Sequence, residues 1–200
     1  MDEPTHRPVP LSTETPIWSR FFTVAPLVVV GTREGDGHDL APKHMAMPLG
    51  WQNYFCFVCS PKHATHANVE RTGEFTVSFP RPDQIVEASL AAAPREEDDS
   101  KPSLEAIPTF PAGAVDGVLV SHAYLWLECE LDRIVDGFGE NTLIVGRVVA
   151  AAADEGALRD PERDDAELID GQPLLAYLSP GRFATISGSY SFPYHLNFKL

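Results

Sequence analysis

The chain has 200 residues, 15 Lys+Arg against 29 Asp+Glu, and a formal net charge of −14 at pH 7. That length builds one sizeable core rather than two, and that charge argues against nucleic acid or an anionic membrane as partner, because phosphate surfaces are bound by concentrated Lys and Arg. No apolar run approaches the roughly 18 residues of a membrane span, the acidic, Pro-rich start MDEPTHRPVP is unlike a signal peptide, and three Cys make no disulfide framework, so a cytoplasmic single domain over residues 1–200 is expected.

Taken in chain order, residues 1–16 carry four Pro and few apolar side chains, and read as an N-terminal arm that covers a partner surface or stays mobile. Pro26–Thr32 (PLVVVGT) is β-branched and bounded by turn residues, hence a buried strand. Glu34-Gly35-Asp36-Gly37 reads as a hairpin turn, followed by a strand around Leu40–Met47. Tyr54–Cys59 (YFCFVC) is apolar on both faces, as a strand deep in a sheet would be.

Next comes a well-punctuated helix over roughly 61–72. Ser60 stands at its N-cap, Pro61 at its first position and Gly73 just past its end. Glu74–Phe79 alternates as a strand does. Residues 83–113 change character: a short helix over Ile85–Ala93, an exposed charged loop over Arg95–Lys101, then three Pro. This stretch reads as an insertion on the sheet edge. Tyr124–Val135 and Thr142–Ala150 are long strand candidates parted by a turn at Asp136–Gly139. Residues 154–170 read as acidic loop, and Leu174–Leu178 and Arg182–Ser187 as the last strands. Seven or eight mostly consecutive strands with one clear helix predict an antiparallel barrel with a flanking helix, not alternating βαβ units.

Several segments bear on chemistry. Gly31–Gly37 (GTREGDG) is Gly-rich after a strand, but no helix begins there, so it is a hairpin rather than a dinucleotide fingerprint. Cys56, Cys59, His63 and His66 have zinc-like spacing. On a strand, however, residues i and i+3 point to opposite faces, so the two Cys read as core and no metal site is expected. No nucleophile elbow is present.

The step at Ser60 is more informative. A helix N-terminus offers free N–H groups and partial positive charge, and Lys62, His63 and Thr65 stand beside it. That set suits a phosphate; a capped helix with a solvated Lys accounts for the same residues. Leu40–Met45 (LAPKHM) puts Pro42, Lys43 and His44 in a strand, which implies a bulge or an edge with free backbone groups, or an edge blunted by charge.

Together these segments resemble the flavin reductase-like family, the FMN-binding split barrels. The resemblance is carried by the order of Asp39–His44 (DLAPKH), Thr65-His66-Ala67-Asn68, Thr72-Gly73-Glu74-Phe75, Leu127-Glu128-Cys129-Glu130, Gly146-Arg147-Val148 and Leu174–Phe183, over roughly residues 20–185. It implies a mainly β, antiparallel split barrel with one main flanking helix and an edge insertion. It further implies that the backbone of Ala41, Pro42, Lys43 and His44, and of Val58, Cys59 and Ser60, runs along the flavin ring and ribityl chain. Lys62 and Thr65 would hold the FMN phosphate with His63 nearby, and Asn68 would fix the helix start or contact the ribityl chain.

The implied activity is an FMN-dependent oxidoreductase, with hydride passing from NAD(P)H to flavin N5 and on to a small acceptor or a partner oxygenase. The implied assembly is a homodimer with flavin at the interface. Three positions depart from the family pattern: Asp39 stands where Asn is usual, His44 where a small hydroxyl is usual, and Asn141 where many members carry His. Asn141 favours a flavin-binding electron carrier or store without a nicotinamide site as the alternative. A flavin-free barrel taking another acidic small molecule is a third reading. Tyr177, Phe183 and Tyr190 are candidates for a ring wall or for plain packing.

Overall fold

The computed structural model describes residues 7–193. Its strands are β1 (Thr23–Pro26), β2 (Val28–Glu34), β3 (Gly37–Lys43), β4 (Ala46–Pro48), β5 (Tyr54–Cys59), β6 (Glu74–Phe79), β7 (Thr109–Pro111), β8 (Val118–Val120), β9 (Leu125–Phe138), β10 (Asn141–Ala153), β11 (Leu174–Ser179) and β12 (Arg182–Ile186). Its helices are α1 (Ala64–Thr72), α2 (Ile85–Leu90) and α3 (Asp165–Gly171), with short 3₁₀ turns elsewhere.

Seven strands form one antiparallel sheet in the order β3-β2-β6-β9-β10-β5-β4. Its two edge strands, β3 and β4, are separated in the chain by only His44 and Met45. Two residues span little distance, so the sheet must curl until its edges meet there. The result is the expected split barrel. Three further strands, β1-β11-β12, form a second sheet, and β7 and β8 a hairpin.

β2 explains why a continuous apolar run was needed. Side chains alternate across a strand. Val28 and Val30 enter the barrel core with Phe55, Phe57, Phe75 and Ile144. Leu27 and Val29 enter a second core with Leu40, Ala88 and Ala91. The second core exists because α2 and the segment after it cover the outer side of the β2–β3 hairpin. The stretch over residues 83–113 is thus a cap on that hairpin.

Gly146 on β10 marks the tightest approach in the barrel. A Cβ there would lie 2.5 Å from Phe75 Cε1 and 3.1 Å from Cys129 Cβ. Both neighbours are buried, so neither has room to yield. Gly146→Ala is expected to destabilise by about 1–3 kcal/mol, the usual cost of overpacking. Urea denaturation reads it, and an unchanged midpoint would show that the Phe75 ring moves freely.

Several expectations are corrected. The strand over Leu40–Met47 is two, broken at His44-Met45 where the chain passes from one sheet edge to the other. β5 is not deep in the sheet but second from its edge, beside β4. Residues 136–138 continue β9, and the turn is Gly139-Glu140; the ladder with β10 shifts register between Asn141 and Leu143, and there Gly137 takes a φ of 103°. The acidic 154–170 stretch contains a 3₁₀ turn and α3, whose start is capped by the Asp164 carboxylate accepting from Ala166 N at 2.8 Å. Its polar composition hides that helix, which buries only Leu168. There are three helices among the described residues: α1 and α2 fall on the two expected stretches, α3 was not expected, and α1 is the longest. Of the N-terminal arm, residues 1–6 lie outside the described residues, and 7–16 are exposed without helix or strand. No described helix is long and apolar enough to cross a membrane.

Candidate functional site

The site grows from the end of β5. Ser60 does not cap the helix as its spacing suggests. Its hydroxyl accepts from Lys62 N at 3.3 Å and its carbonyl from His63 N at 3.0 Å, which closes a turn over Pro61-Lys62. α1 then begins three residues later than expected, at Ala64, with His63 at the N-cap and no side-chain cap. Its far end is as predicted: Gly73 takes the left-handed conformation and its N–H returns to Val69 O.

Lys62 therefore stands in the turn before the helix rather than in its first turn. Its side chain is 73 % exposed, and its Nζ lies 3.2 Å from Glu140 Oε1 on the β9–β10 turn. With no side-chain cap, the N–H groups of Ala64 and Thr65 have no intrahelical acceptor.

These groups face a cavity of about 610 Å³. β3 supplies Asp39, Ala41, Pro42 and Lys43; the turn and α1 supply Lys62, His63, Ala64 and Thr65. The third wall comes from the cap: Ala91–Ala93, Arg95 and Lys101. Lys43 Nζ lies 3.6 Å from Cys59 Sγ and has no carboxylate partner among the described residues. A cation without a carboxylate partner among the described residues, free helix N–H groups and the hydroxyl of Thr65 are the donor set that a phosphate takes.

Arg95 and Lys101 were not legible as site residues. Their loop reads as exposed, yet both turn inward. Lys101 Nζ donates to Leu40 O and Ala91 O, each at 2.7 Å, and lies 3.2 Å from Asp39 Oδ1. Arg95 grips Glu34 through two bonds of 2.9 and 2.8 Å, and lies 3.4 Å from Asp39. Asp39 is the buried counter-ion of Lys101. No local signal reveals this, since the partners lie 62 positions apart.

Of the eleven expected residues, Ala41, Pro42, Lys43, Lys62, His63 and Thr65 share this cavity. Val58, Cys59, Ser60 and Asn68 do not line it. Asn68 instead ties α1 to β2, donating to Thr32 Oγ1 and Glu34 Oε1 at 3.2 Å each. Cys59 is buried beneath Lys43, where burial, the larger effect, outweighs the nearby ammonium and raises the thiol pKa. Among the described residues no group of three or more His, Cys, Asp or Glu could hold a metal ion.

His44 faces a second cavity of about 310 Å³, which adjoins the first across Pro42 and Ala92. Its ring stacks on Tyr177 with centroids 4.5 Å apart. Phe183 also lines this cavity, whereas Tyr190 is fully exposed. Burial, and after it the Lys43 charge, lower the His44 pKa from 6.5. Below about 6.5 the unfolded chain then binds a proton that the fold resists, so this contribution to stability is present above that pH and is lost as pH falls. His44→Asn is expected to flatten the acid-side decline of the denaturation midpoint. An identical decline in both proteins would show that His44 is solvated.

The molecule is an antiparallel split barrel with a cavity between its edge strand β3 and the start of α1. A family profile described as flavin reductase like domain matches residues 19–185, and the chain belongs to that family. A flavin-related redox role follows at that level. The fold is similar to flavoredoxin from Methanosarcina acetivorans (17 % identity, TM-score 0.74, covering 94 % of this chain and 95 % of that one). It is similar also to an FMN-binding protein from Thermus thermophilus (22 %, 0.71, 96 % and 99 %). A third likeness is to the 2-nitrobenzoate 2-nitroreductase of Pseudomonas fluorescens (17 %, 0.76, 95 % and 95 %).

Proposed function

We propose that the chain is an FMN-dependent oxidoreductase that draws on NAD(P)H and serves a small acceptor or a partner oxygenase. The observation that carries this is the 610 Å³ cavity, where Lys43, Thr65 and the open end of α1 converge in a chain of net charge −14. A cation left without a carboxylate partner amid so many carboxylates fits a dianion from outside.

Lys43, Lys62, Thr65 and the Ala64 and Thr65 N–H groups would hold the phosphate. The backbone of Ala41–His44, at the sheet edge, would carry hydrogen bonds to the ring. When bound, FMN supplies the redox chemistry, taking a hydride from the nicotinamide and releasing electrons to the acceptor. The protein's part is to position and to exclude water. Arg95 and Lys101 contribute by clamping the cap over the hairpin, which closes the cavity's third side.

We further propose a homodimer. Val24 on β1, and Met45 and Met47 beside and on the neighbouring β4, are 71 %, 52 % and 55 % exposed. Exposed apolar side chains on neighbouring elements favour burial against a second copy.

Asn141 sustains a second reading, a flavin-binding electron carrier without a nicotinamide site. It lies exposed at the start of β10, with no imidazole to offer. The absorbance spectrum of the purified protein tests for flavin, and stopped-flow bleaching by NADH and NADPH tests the reductase. Slow bleaching by both, with fast reduction by a protein donor, would reject the reductase in favour of the carrier.

A further inference from the structure

α3 is a short helix with little to hold it. It has seven residues and buries only Leu168. A helix of that length does not hold alone in water, so it depends on what packs against it. Beside it lies a cavity of about 250 Å³, walled by Leu168 and Ile169 of α3, Leu174 of β11, Ala157 and Tyr124. The charges at its rim already have partners: Arg81 is bonded to Asp154 and Gln172, and Arg159 to Asp165. What is left unmatched is apolar surface. A volume below the about 300–1,000 Å³ of small-molecule sites suits a side chain or two rather than a free ligand.

The chain returns to this place near its far end. Ser191 lines a neighbouring cavity with Asp164, and Arg159 and Asp165 line both cavities. Residues 194–200 (YHLNFKL) follow, outside the described residues. Extended, seven residues reach about 23–25 Å, so the cavity is within their range. Tyr194, Leu196, Phe198 and Leu200 alternate with His195, Asn197 and Lys199. That is the pattern of a segment with one apolar face. The segment carries a Lys and no acid, and residues 154–170 hold eight acidic side chains against two arginines. Opposite charge favours their approach.

We propose that residues 194–200 dock as a strap over this cavity. Their apolar face lies against Leu168, Ile169 and Leu174, and Lys199 stays toward the acidic rim. The strap supplies the apolar cover that α3 lacks among the described residues, and so holds the helix against β11. None of this depends on the flavin reading.

Hydrogen exchange of the full chain, read by mass spectrometry, tests this. The amides of residues 194–200 are expected to exchange at least about tenfold slower than in the free heptapeptide YHLNFKL. A chain stopped after Pro193 should exchange the amides of α3 about tenfold faster, with β9 and β10 unchanged as the sign that the barrel is intact. Ile169→Asp should release the strap, because a carboxylate then meets its apolar face. The protection should survive about hundredfold dilution, as a contact within one chain does. Residues 194–200 exchanging as the free peptide does, α3 indifferent to their removal, or their protection kept in Ile169→Asp would each overturn the proposal. Protection lost on dilution would overturn it too, and would assign the segment to a second copy.

Discussion

Asp39→Ala is expected to destabilise the fold by about 3–5 kcal/mol, because it removes one partner of a buried ion pair and strands the other. The Asp39 and Lys101 side chains are only 4 % and 10 % exposed. Without the carboxylate, the ammonium keeps two carbonyl acceptors, Leu40 O and Ala91 O, and no counter-charge. Desolvation that the pair had offset is then uncompensated. Lys101→Met should cost less, since Arg95 remains 3.4 Å from Asp39 and still neutralises it. Lys62→Ala provides the contrast. Its pair with Glu140 is exposed on both sides, and such pairs contribute about 0–1 kcal/mol. Urea unfolding of the three variants gives the ranking. A loss below about 1 kcal/mol for Asp39→Ala would show that water reaches Lys101 and that the cap is not clamped by buried charge.

The second large effect is on the cofactor. Lys43→Ala should raise the Kd for FMN by about 10–150-fold, the loss of one charge-assisted contact, while riboflavin changes by less than about threefold. Only FMN carries the phosphate. Lys62→Ala should cost about fivefold or less, because that side chain is exposed and already shared with Glu140. Thr65→Val should fall between the two, because its hydroxyl donates to the charged phosphate but brings no charge of its own. Fluorescence quenching of each flavin gives the constants. Equal losses for FMN and riboflavin in Lys43→Ala would place the phosphate away from this cation.

The motifs that lead to the site were legible to differing degrees. Pro42 correctly marked β3 as an edge, since a residue without an N–H is tolerated there. Gly73 correctly ended α1. Ser60 misled by three residues: a hydroxyl in front of Pro61 reads as an N-cap, but the same hydroxyl bonds the turn at Lys62 N, and capping and turn closure look alike in sequence. The charged run Arg95–Lys101 misled more. Its residues are the composition of a solvated loop, and only the carboxylates of Glu34 and Asp39, brought beside it by the second core, draw two of them inward.

What the chain's order of residues determined alone is the local grammar: β-branched runs bounded by turn residues, a two-residue hairpin at Gly35-Asp36, a glycine-ended helix, and an acid excess that turns away polyanions. Those follow from backbone sterics and alternation, which act within a few positions. The curl that joins β3 to β4, the division of β2 between two cores, and the meeting of Lys43, Thr65, Arg95 and Lys101 around one cavity belong to the tertiary structure. They depend on partners dozens of residues distant, whose pairing is decided by burial and charge compensation once the sheet has closed, and no short stretch carries that information.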